Sequence, residues 1–357
     1  MKMFRSDVLR ELGREMFSAA GCSDEDAATI TDHLVDASLA GHDSHGTLRM
    51  YEYIGQIADG VFDPRGKPRV VQQRACTAVV DGDGAFGQVG GTFAMNLAIG
   101  KAREHGFAGV GLRNSGHIGR VGAYPLMAAD QEMIALVFAN AGHLGRQIPP
   151  YGGIDGKLST NPIAMAAPRQ DAAPILVDMT TSVTAEGKIR VAANRGKPLP
   201  FGWIIDHQGR PSTAPEAFLG DPPGAILPLG GVVAYKGYCL SFIVELLGGA
   251  LSGQGCASGE RIMKSNGVMI NVYSIEHFTE LKAYYQELEI LIEHVLSSRI
   301  DPDVGQIQIP GEPEWRSVCL RSEQGIPIDD TTWSRIGEAA QTLGLNAGAW
   351  EKKALIE

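Results

Sequence analysis

The densest group of residues that could do chemistry lies between Gly41 and Tyr53, in the segment GHDSHGTLRMYEY. If a helix begins near Gly46, then His45, Arg49 and Tyr53 stand one turn apart and share a face. An arginine can clamp a carboxylate through two hydrogen bonds, and a histidine can exchange a proton with a carbinol oxygen near neutral pH. The pattern therefore suits 2-oxo-acid chemistry. A solvated helix face explains it equally well.

A second histidine, His117, lies in the segment Asn114–Arg120, directly after a predicted strand at Gly109–Leu112. Active-site groups of α/β sheets gather beyond the carboxyl ends of strands. A histidine between glycines at such a place is accessible and has little packing role, which favours a functional role. The backbone N–H groups of this segment could also cradle phosphate oxygens.

Four other polar sites along the chain could bind a ligand. Residues 159–162 and 178–182 carry hydroxyls beside short predicted strands, and could meet a ribose or a phosphate, although turns and helix caps explain them more simply. Lys236 opens an apolar helix, where a cation opposes the helix dipole unless an anionic partner is present. Residues 310–314, PGEPE, are typical of a helix start with acidic residues in its first turn.

The segment Gly82–Gly87 matches the GxGxxG fingerprint of dinucleotide-binding Rossmann folds. Three features favour a simple tight turn instead. About sixty residues predicted to be helical precede it, the following helix is predicted to begin only at Thr92, and the next strand ends in Arg113-Asn114 rather than in an acidic residue for the ribose. We therefore predict a turn and no Rossmann site here.

The elements that must position these side chains alternate between strands and helices, which favours an α/β architecture. The N-terminal sixty residues are predicted to be helical, as are those after residue 310, and we expect the two helical ends to pack together. Tyr238–Leu251 is predicted to be a buried apolar helix. Between the ends, strands are predicted at Thr77–Val80, Gly109–Leu112, Ile134–Phe138, Ile163–Ala166, Ile175–Val177 and Val268–Val272, with helices at Thr92–Glu104, Val121–Asp130 and Glu276–Ser298.

Composition excludes several classes of function. The net charge of −10 disfavours a nucleic-acid-binding surface, and no run of apolar residues reaches the ~18 that a membrane span requires. The five cysteines are scattered and odd in number, which is typical of reduced thiols, and the charged N-terminus does not resemble a signal peptide. No CxxC or HExxH motif supports a metal site. We expect a soluble cytoplasmic protein without bound metal.

Taken together and in order, the motifs resemble those of the non-Rossmann malate/L-lactate dehydrogenase family. The likeness covers nearly the whole chain, and within the family it points towards the hydroxycarboxylate dehydrogenases. The motifs that carry it are AGHDSHGTLRMYEY, NSGHIGRVGAYP, STNPIAMAAP, LVDMTTS, LPFGWIIDHQGRPS, YKGYCLSFIVELLGGALSG and PGEPE.

The resemblance implies an NAD- or NADP-dependent enzyme that interconverts 2-hydroxy and 2-oxo acids. In the family, one or the other of the histidines matching His45 and His117 transfers the proton, and both are retained as catalytic candidates. The implied substrate-binding residues are Ser44, Arg49, Tyr53 and Thr160. The implied cofactor-binding residues are His45, Gly119, Arg120, Val121, Asp178, Met179, Thr180, Thr181, Ser182, Leu229, Lys236, Gly311, Glu312, Pro313 and Glu314.

The resemblance also implies a homodimer and a mixed α/β fold with discontinuous domains. We place a helical substrate and dimerisation domain at residues 1–115 together with 292–357, and a cofactor-binding domain at 116–291. Two departures stand out: Gly116 replaces a bulkier residue before the histidine, and residues 230–235 lengthen the approach to Lys236.

Two other functions remain open. The chain could reduce a cyclic imine such as piperideine- or pyrroline-2-carboxylate with the same cofactor, or it could be a non-catalytic oligomer that binds small acids. The basic residues Arg120, Arg190, Arg195 and Lys197 could meet the 2′-phosphate of NADP, but no spacing rule separates NADP from NAD in this fold.

Overall fold

A seven-stranded mixed sheet forms the centre of the molecule. The structure, a computed structural model, describes residues 2–142, 145–258 and 265–356. The spatial order of the strands is β2-β3-β4-β11-β5-β6-β7, and of the neighbouring pairs only β3 and β4 run parallel. The strands of the chain are β1 Lys2–Phe4, β2 Arg69–Gln73, β3 Thr77–Asp81, β4 Phe107–Ser115, β5 Met133–Asn140, β6 Ile163–Arg169, β7 Ala172–Met179, β8 Ile204–Ile205, β9 Pro211–Ser212, β10 Ala225–Ile226, β11 Asn266–Ser274 and β12 Ile326–Ile328.

Helices cover both faces of this sheet. Leu112 of β4 faces Gly90, whereas the adjacent Gly111 faces Ser252, and successive residues of a strand point to opposite faces. The helices are α1 Ser6–Ala19, α2 Asp24–Leu39, α3 Arg49–Ala58, α4 Gly87–His105, α5 Ala123–Ala129, α6 Glu186–Asn194, α7 Glu216–Leu219, α8 Tyr235–Val244, α9 Leu281–Leu296, α10 Glu312–Gln324, α11 Asp330–Thr342 and α12 Ala347–Ala354. The mixed α/β architecture predicted from the alternation is confirmed.

The two ends of the chain share one hydrophobic core, as expected. Phe4 and Leu9 from the N-terminal segment pack with Ile326, Trp333 and Ile336 from the C-terminal one, and β1 pairs antiparallel with β12. A second core lies between the large sheet and helices α4 and α5. A third, smaller core lies beneath α6, α7 and the short sheet β10-β8-β9. The fold is therefore discontinuous in sequence.

Two helices differ from their predicted form, and the first of them is α4. Helix α4 begins at Gly87 rather than at Thr92, because Gly90 and Gly91 lie inside it and let the helix approach Ser115 and Tyr124. A Cβ atom at Gly90 would lie 2.5 Å from the hydroxyl of Ser115, and one at Gly91 would lie 2.5 Å from the ring of Tyr124. Glycines usually weaken a helix, but here they permit close packing.

The apolar helix predicted at Tyr238–Leu251 is also different from the expectation. It begins at Tyr235, changes to a π-helix over Glu245–Leu251, and is buried on one side only. Phe242, Leu246 and Leu251 remain 49%, 50% and 63% exposed in the single chain. Among the described residues, no helix is both long and apolar enough to cross a bilayer.

The large sheet runs across the domain boundary that the sequence suggested between residues 115 and 116. Strand β4 ends at Ser115 and pairs directly with β11, which lies in the predicted cofactor domain. The division into 1–115 with 292–357 and 116–291 stays a prediction, and the sheet does not mark it.

Candidate active site

His45 lies in a short 3₁₀ turn, Asp43–His45, which is fixed from three sides. Helix α2 ends before Gly41, whose φ of +85° turns the chain back. Gly46 passes so close to α2 that a Cβ atom there would lie 2.1 Å from the hydroxyl of Ser38. The carboxylate of Asp43 accepts hydrogen bonds of 2.5 and 3.2 Å from Arg321 of α10. The glycines of the GHDSHG motif thus hold His45 in place.

The shared helix face predicted for His45, Arg49 and Tyr53 is wrong in detail, because α3 begins only at Arg49. His45 nevertheless stays beside Arg49. The guanidinium of Arg49 donates from Nε to the backbone carbonyl of Ser44 at 2.8 Å and forms an ion pair with Glu52 at 2.5 Å. The remaining N–H groups of Arg49 can therefore still bind a carboxylate.

His117 follows the end of β4 in a segment packed against the start of α4. A Cβ atom on Gly87 would lie 2.4 Å from the His117 carbonyl, and one on Gly116 would lie 2.3 Å from the ring of Phe62. The departure at Gly116 therefore has a steric reason, because Phe62 occupies the space of a larger side chain. The amino end of α4 is closed by the His117 segment, so Gly82–Gly87 is a packed turn, as predicted.

The two histidines lie together. Their ring centroids are 5.5 Å apart and their planes differ by 16°. Nδ1 of His45 lies 3.0 Å from the hydroxyl of Ser44, and Nδ1 of His117 lies 2.8 Å from the hydroxyl of Tyr53. Tyr53 is 1% exposed, and its hydroxyl contacts His117 inside the protein.

Both histidines are neutral at pH 7 in this arrangement. Burial lowers the pKa of His45 to about 3, and the nearby positive charge of Arg49 adds to this effect. Burial also lowers the pKa of His117 well below its ordinary value, and His45 is the second cause. Both histidines are partly exposed as whole residues. Two neutral imidazoles beside a guanidinium that keeps unused N–H groups can accept a proton and bind an anion.

A buried ion pair lies next to the histidines. Nε of Arg120 lies 3.2 Å from the carboxylate of Asp178, and these side chains are 6% and 8% exposed. The same carboxylate oxygen accepts the backbone N–H of Gly122 at 3.1 Å. One terminal nitrogen of Arg120 is buried without a hydrogen-bond partner among the described residues. An unpaired buried donor costs free energy, so this nitrogen fits an acceptor group on a ligand.

The hydroxyls predicted at residues 178–182 are mostly used inside the protein. Thr181 donates to the carbonyls of Thr160 and Asn161 at 3.1 and 3.0 Å, and Ser182 donates to the carbonyl of Thr184 at 2.7 Å. Thr180 donates to the Ser182 carbonyl. These side chains shape the loop, which leaves its backbone and the 40% exposed Met179 to contact a ligand.

The structure brings the later cofactor candidates to the same loop. The N–H of Leu229 donates to the carbonyl of Thr181 at 3.0 Å, and the N–H of Gly237 donates to the carbonyl of Leu229 at 3.1 Å. Lys236 is therefore placed beside this loop, where it is exposed in the first turn of α8. Residues distant in sequence therefore meet at this loop, and their role in cofactor binding stays a prediction.

The segment Gly311–Glu314 begins α10 and packs against β7. A Cβ atom on Gly311 would lie 3.0 Å from Leu176, and the carboxylate of Glu312 accepts the N–H of Ile309 at 3.0 Å. Glu314 faces Nε2 of His42 at 3.4 Å, and this contact lowers the pKa of the carboxyl. Helix capping therefore accounts for Glu312, whereas Glu314 contacts His42, which adjoins the Asp43–His45 turn. Val121 and Pro313 adjoin Arg120 and Glu312 in the sequence. Among the described residues, neither side chain makes a polar contact of its own.

Sequence analysis missed two residues of this site. Gln88 donates from Nε2 to the hydroxyl of Tyr53 at 3.1 Å, and Gly187 of α6 lies against Ser44, where a Cβ atom would be 2.9 Å from the serine Cβ. Neither residue has a sequence signal of its own, because each acquires its role through a contact with a distant segment.

Comparisons with known proteins show the family to which the chain belongs. The sequence model of the malate/L-lactate dehydrogenase family matches residues 4–337. A malate dehydrogenase of Pyrococcus horikoshii is 39% identical over 334 residues, covering 91% of each chain. Hydroxycarboxylate dehydrogenase B of Escherichia coli is 35% identical over 347 residues, covering 96% of this chain and 94% of the relative. A solved structure described as a malate/lactate dehydrogenase from E. coli superposes with a TM-score of 0.92 at 33% identity, covering 99% of both chains. The chain therefore belongs to the malate/L-lactate dehydrogenase family.

Proposed function

We propose that this enzyme interconverts 2-hydroxy acids and 2-oxo acids with NAD or NADP, using the cleft around His45 and His117. The observation that carries the proposal is the stacked pair of neutral histidines beside Arg49, with the Arg120–Asp178 pair adjacent to them. Proton exchange and carboxylate binding are the two tasks that such a substrate demands of the protein.

The residues around Arg120 and Asp178 fit a dinucleotide. The unpartnered nitrogen of Arg120 offers a donor beside Asp178, and the backbone of Thr181 is hydrogen-bonded to that of Leu229. Lys236 adds an exposed cation, and Gly119 and Val121 flank Arg120 in sequence. When bound, a nicotinamide supplies or accepts the hydride at the substrate's C2.

Arg49 would bind the substrate carboxylate beside Ser44, and Thr160 would be a further substrate contact. Tyr53 would act through His117, because its hydroxyl is held there. The substrate carboxylate would offset the charge of Arg49, which is one cause of the low pKa of His45. The pKa of His45 should therefore rise when the substrate binds, which prepares it to protonate the new hydroxyl.

A substrate panel tests the proposal. NADH and NADPH are each supplied with pyruvate-like, malate-like and sulfonated 2-oxo acids, and loss of nicotinamide absorbance is followed. The amide of the best 2-oxo acid serves as a control, since it keeps the carbonyl and lacks the carboxylate. We expect turnover of the acid and little of the amide, and Arg49→Ala should remove the difference.

Cyclic piperideine- and pyrroline-2-carboxylates form a second arm of the panel. Faster turnover of these imines than of every oxo acid would move the proposal to imine reduction. Cofactor binding without turnover of either class would favour a binding protein and contradict the proposal.

We also propose a homodimer in the cytoplasm. The exposed apolar side chains of α8 and the following π-helix support an interface, because monomeric proteins rarely expose contiguous apolar patches of this kind. The five cysteines are all unpaired, which suits a reducing compartment.

A further inference from the structure

The hydrogen bonds around Nδ1 of His117 fix which ring nitrogen carries the proton. The backbone N–H of Gly119 points at Nδ1 at 3.3 Å, and the hydroxyl of Tyr53 lies 2.8 Å away. A backbone N–H can only donate, so Nδ1 must present its lone pair. In neutral His117 the proton then resides on Nε2. This atom has no partner among the described residues, so it can donate a hydrogen bond to a ligand.

Gln88 holds Tyr53 in the matching orientation. The Tyr53 hydrogen is directed to Nδ1, so its oxygen accepts, and Nε2 of Gln88 lies 3.1 Å from that oxygen as the donor. The amide oxygen of Gln88 is buried with no partner in the described part of the chain. The side chain of Gln88 therefore forms the hydrogen bond to Tyr53 and leaves its amide oxygen without one.

Glycine is the only residue type that fits at position 119. Its φ is +71°, and a Cβ atom there would lie 2.4 Å from Nε2 of His33 and 2.9 Å from Nε2 of Gln88. The backbone N–H that donates to His117 therefore lies in a crowded turn, which holds it in this direction.

His45 has the opposite surroundings. Nδ1 of His45 lies 3.0 Å from the hydroxyl of Ser44, which can donate or accept. A proton added to His45 keeps that hydrogen bond, with the serine reversed. A proton added to Nδ1 of His117 would face the Gly119 N–H directly and would force Tyr53 against Gln88.

We propose that the two histidines have separate roles: His45 carries the proton, and His117 stays neutral and donates a hydrogen bond from Nε2 to the substrate oxygen. This division rests on the proposed function. In reduction, C2 gains the hydride, the carbonyl electron pair moves to oxygen, and the proton of the His45 imidazolium joins that oxygen. The hydride would come from a bound nicotinamide, which would be oxidised, and neutral His45 would take its next proton from the solvent. Gln88 and Tyr53 are positioning residues for His117.

The tautomer can be measured without any turnover. The full chain is labelled with ¹⁵N in its histidines, and the two ring nitrogens of His117 are followed by NMR from pH 8 to pH 5, assigned by their loss in His117→Gln. We expect a protonated Nε2 and a bare Nδ1 throughout. A proton on Nδ1 in this range overturns the proposal.

Gln88→Met tests the positioning role in the same spectra. Without the amide donor, Tyr53 is free to accept, so a fraction of His117 should carry its proton on Nδ1 and its pKa should rise. His277 provides the internal control, because its Nδ1 contacts Ser274 near Gly106, at the far end of α4 from Gln88, and its signals should not move. Unchanged His117 signals in Gln88→Met would remove Gln88 from the account.

Activity separates the two histidines, given turnover by the wild type. A glutamine can donate a hydrogen bond and cannot ionise, so His117→Gln should keep part of the rate and the whole pH profile. His45→Gln should lose about 10²–10⁴-fold of the reduction rate together with its ionising limb. The reverse pattern overturns the division of roles. A wild type without turnover sinks the proposed function but leaves the tautomer measurement to decide the arrangement at His117.

Discussion

Arg120 and Asp178 are two buried charges that stabilise each other beside the candidate active site. Asp178→Asn keeps the shape and removes the negative charge, which leaves Arg120 buried and uncompensated. We expect the free energy of unfolding to fall by about 3–5 kcal/mol, measured by urea denaturation.

The double variant Arg120→Met/Asp178→Leu provides the control, because replacing both charges by apolar groups is often neutral for stability. It should recover most of the stability and bind NADH and NADPH less tightly than the wild type. Full cofactor affinity in a stable double variant would show that the pair serves the fold alone.

His33 makes stability depend on pH. Burial lowers its pKa from an ordinary value of 6.5 to about 3, and its Nε2 accepts the N–H of Arg120 at 2.9 Å. Between these two pH values the unfolded chain therefore binds a proton at His33, and the folded chain does not. The stability contributed by neutral His33 is complete above pH 6.5 and is lost as the pH falls towards 3.

His33→Gln keeps an acceptor for Arg120 and removes the titration. Between pH 6 and pH 4, the slope of unfolding free energy against pH should decrease by about 1.4 kcal/mol per pH unit relative to the wild type. Denaturant titrations at several pH values measure it. An unchanged slope would mean that His33 is already protonated in the folded protein.

At the scale of elements, α6 contacts the Asp43–His45 turn through Gly187. A Cβ atom at this position would lie 2.9 Å from the Cβ of Ser44, whose hydroxyl contacts His45. We expect Gly187→Ala to lower kcat by about tenfold or more while the fold is retained, because displacement of a catalytic group by less than 1 Å can be costly.

Gly100→Ala is the matched control for this change. Gly100 lies in α4 with open space around it, so alanine should leave the activity unchanged and stabilise the helix by about 0.5–1 kcal/mol. Equal activities of the two variants would show that α6 does not restrain Ser44.

Elements with a clear periodicity were predictable from the sequence, and contacts between distant segments were not. The strands around Gly109–Leu112 and Ile134–Phe138 were placed correctly because short apolar runs indicate buried strands. Strand β1 was missed because its three residues are extended only through pairing with Ile326–Ile328. The histidines of the site were found from their glycine-flanked motifs, whereas Gln88 depends on Tyr53, 35 residues earlier.

At the scale of the whole molecule, the exposed side of α8 and the π-helix should form the dimer interface. Leu246 is 50% exposed in the single chain, so Leu246→Glu would place a charge within that interface. We expect the variant to sediment as a monomer under conditions in which the wild type sediments as a dimer.

Leu320→Glu is the control, since Leu320 lies on α10 and is also 50% exposed. Dissociation caused by this substitution and not by Leu246→Glu would place the interface on another surface. A monomeric wild type would contradict the homodimer.

The central claim is that hydride reaches C2 of a 2-oxo acid in the cleft around His45 and His117. Nicotinamide cofactors carrying deuterium on either face of C4 are incubated with the enzyme and the best 2-oxo acid, and the product is examined by mass spectrometry. The account predicts one deuterium at C2 of the 2-hydroxy acid from one of the two labelled cofactors, and none with Arg49→Ala in place of the wild type. A 2-hydroxy acid without deuterium from either cofactor, or no product from any 2-oxo acid, would contradict it.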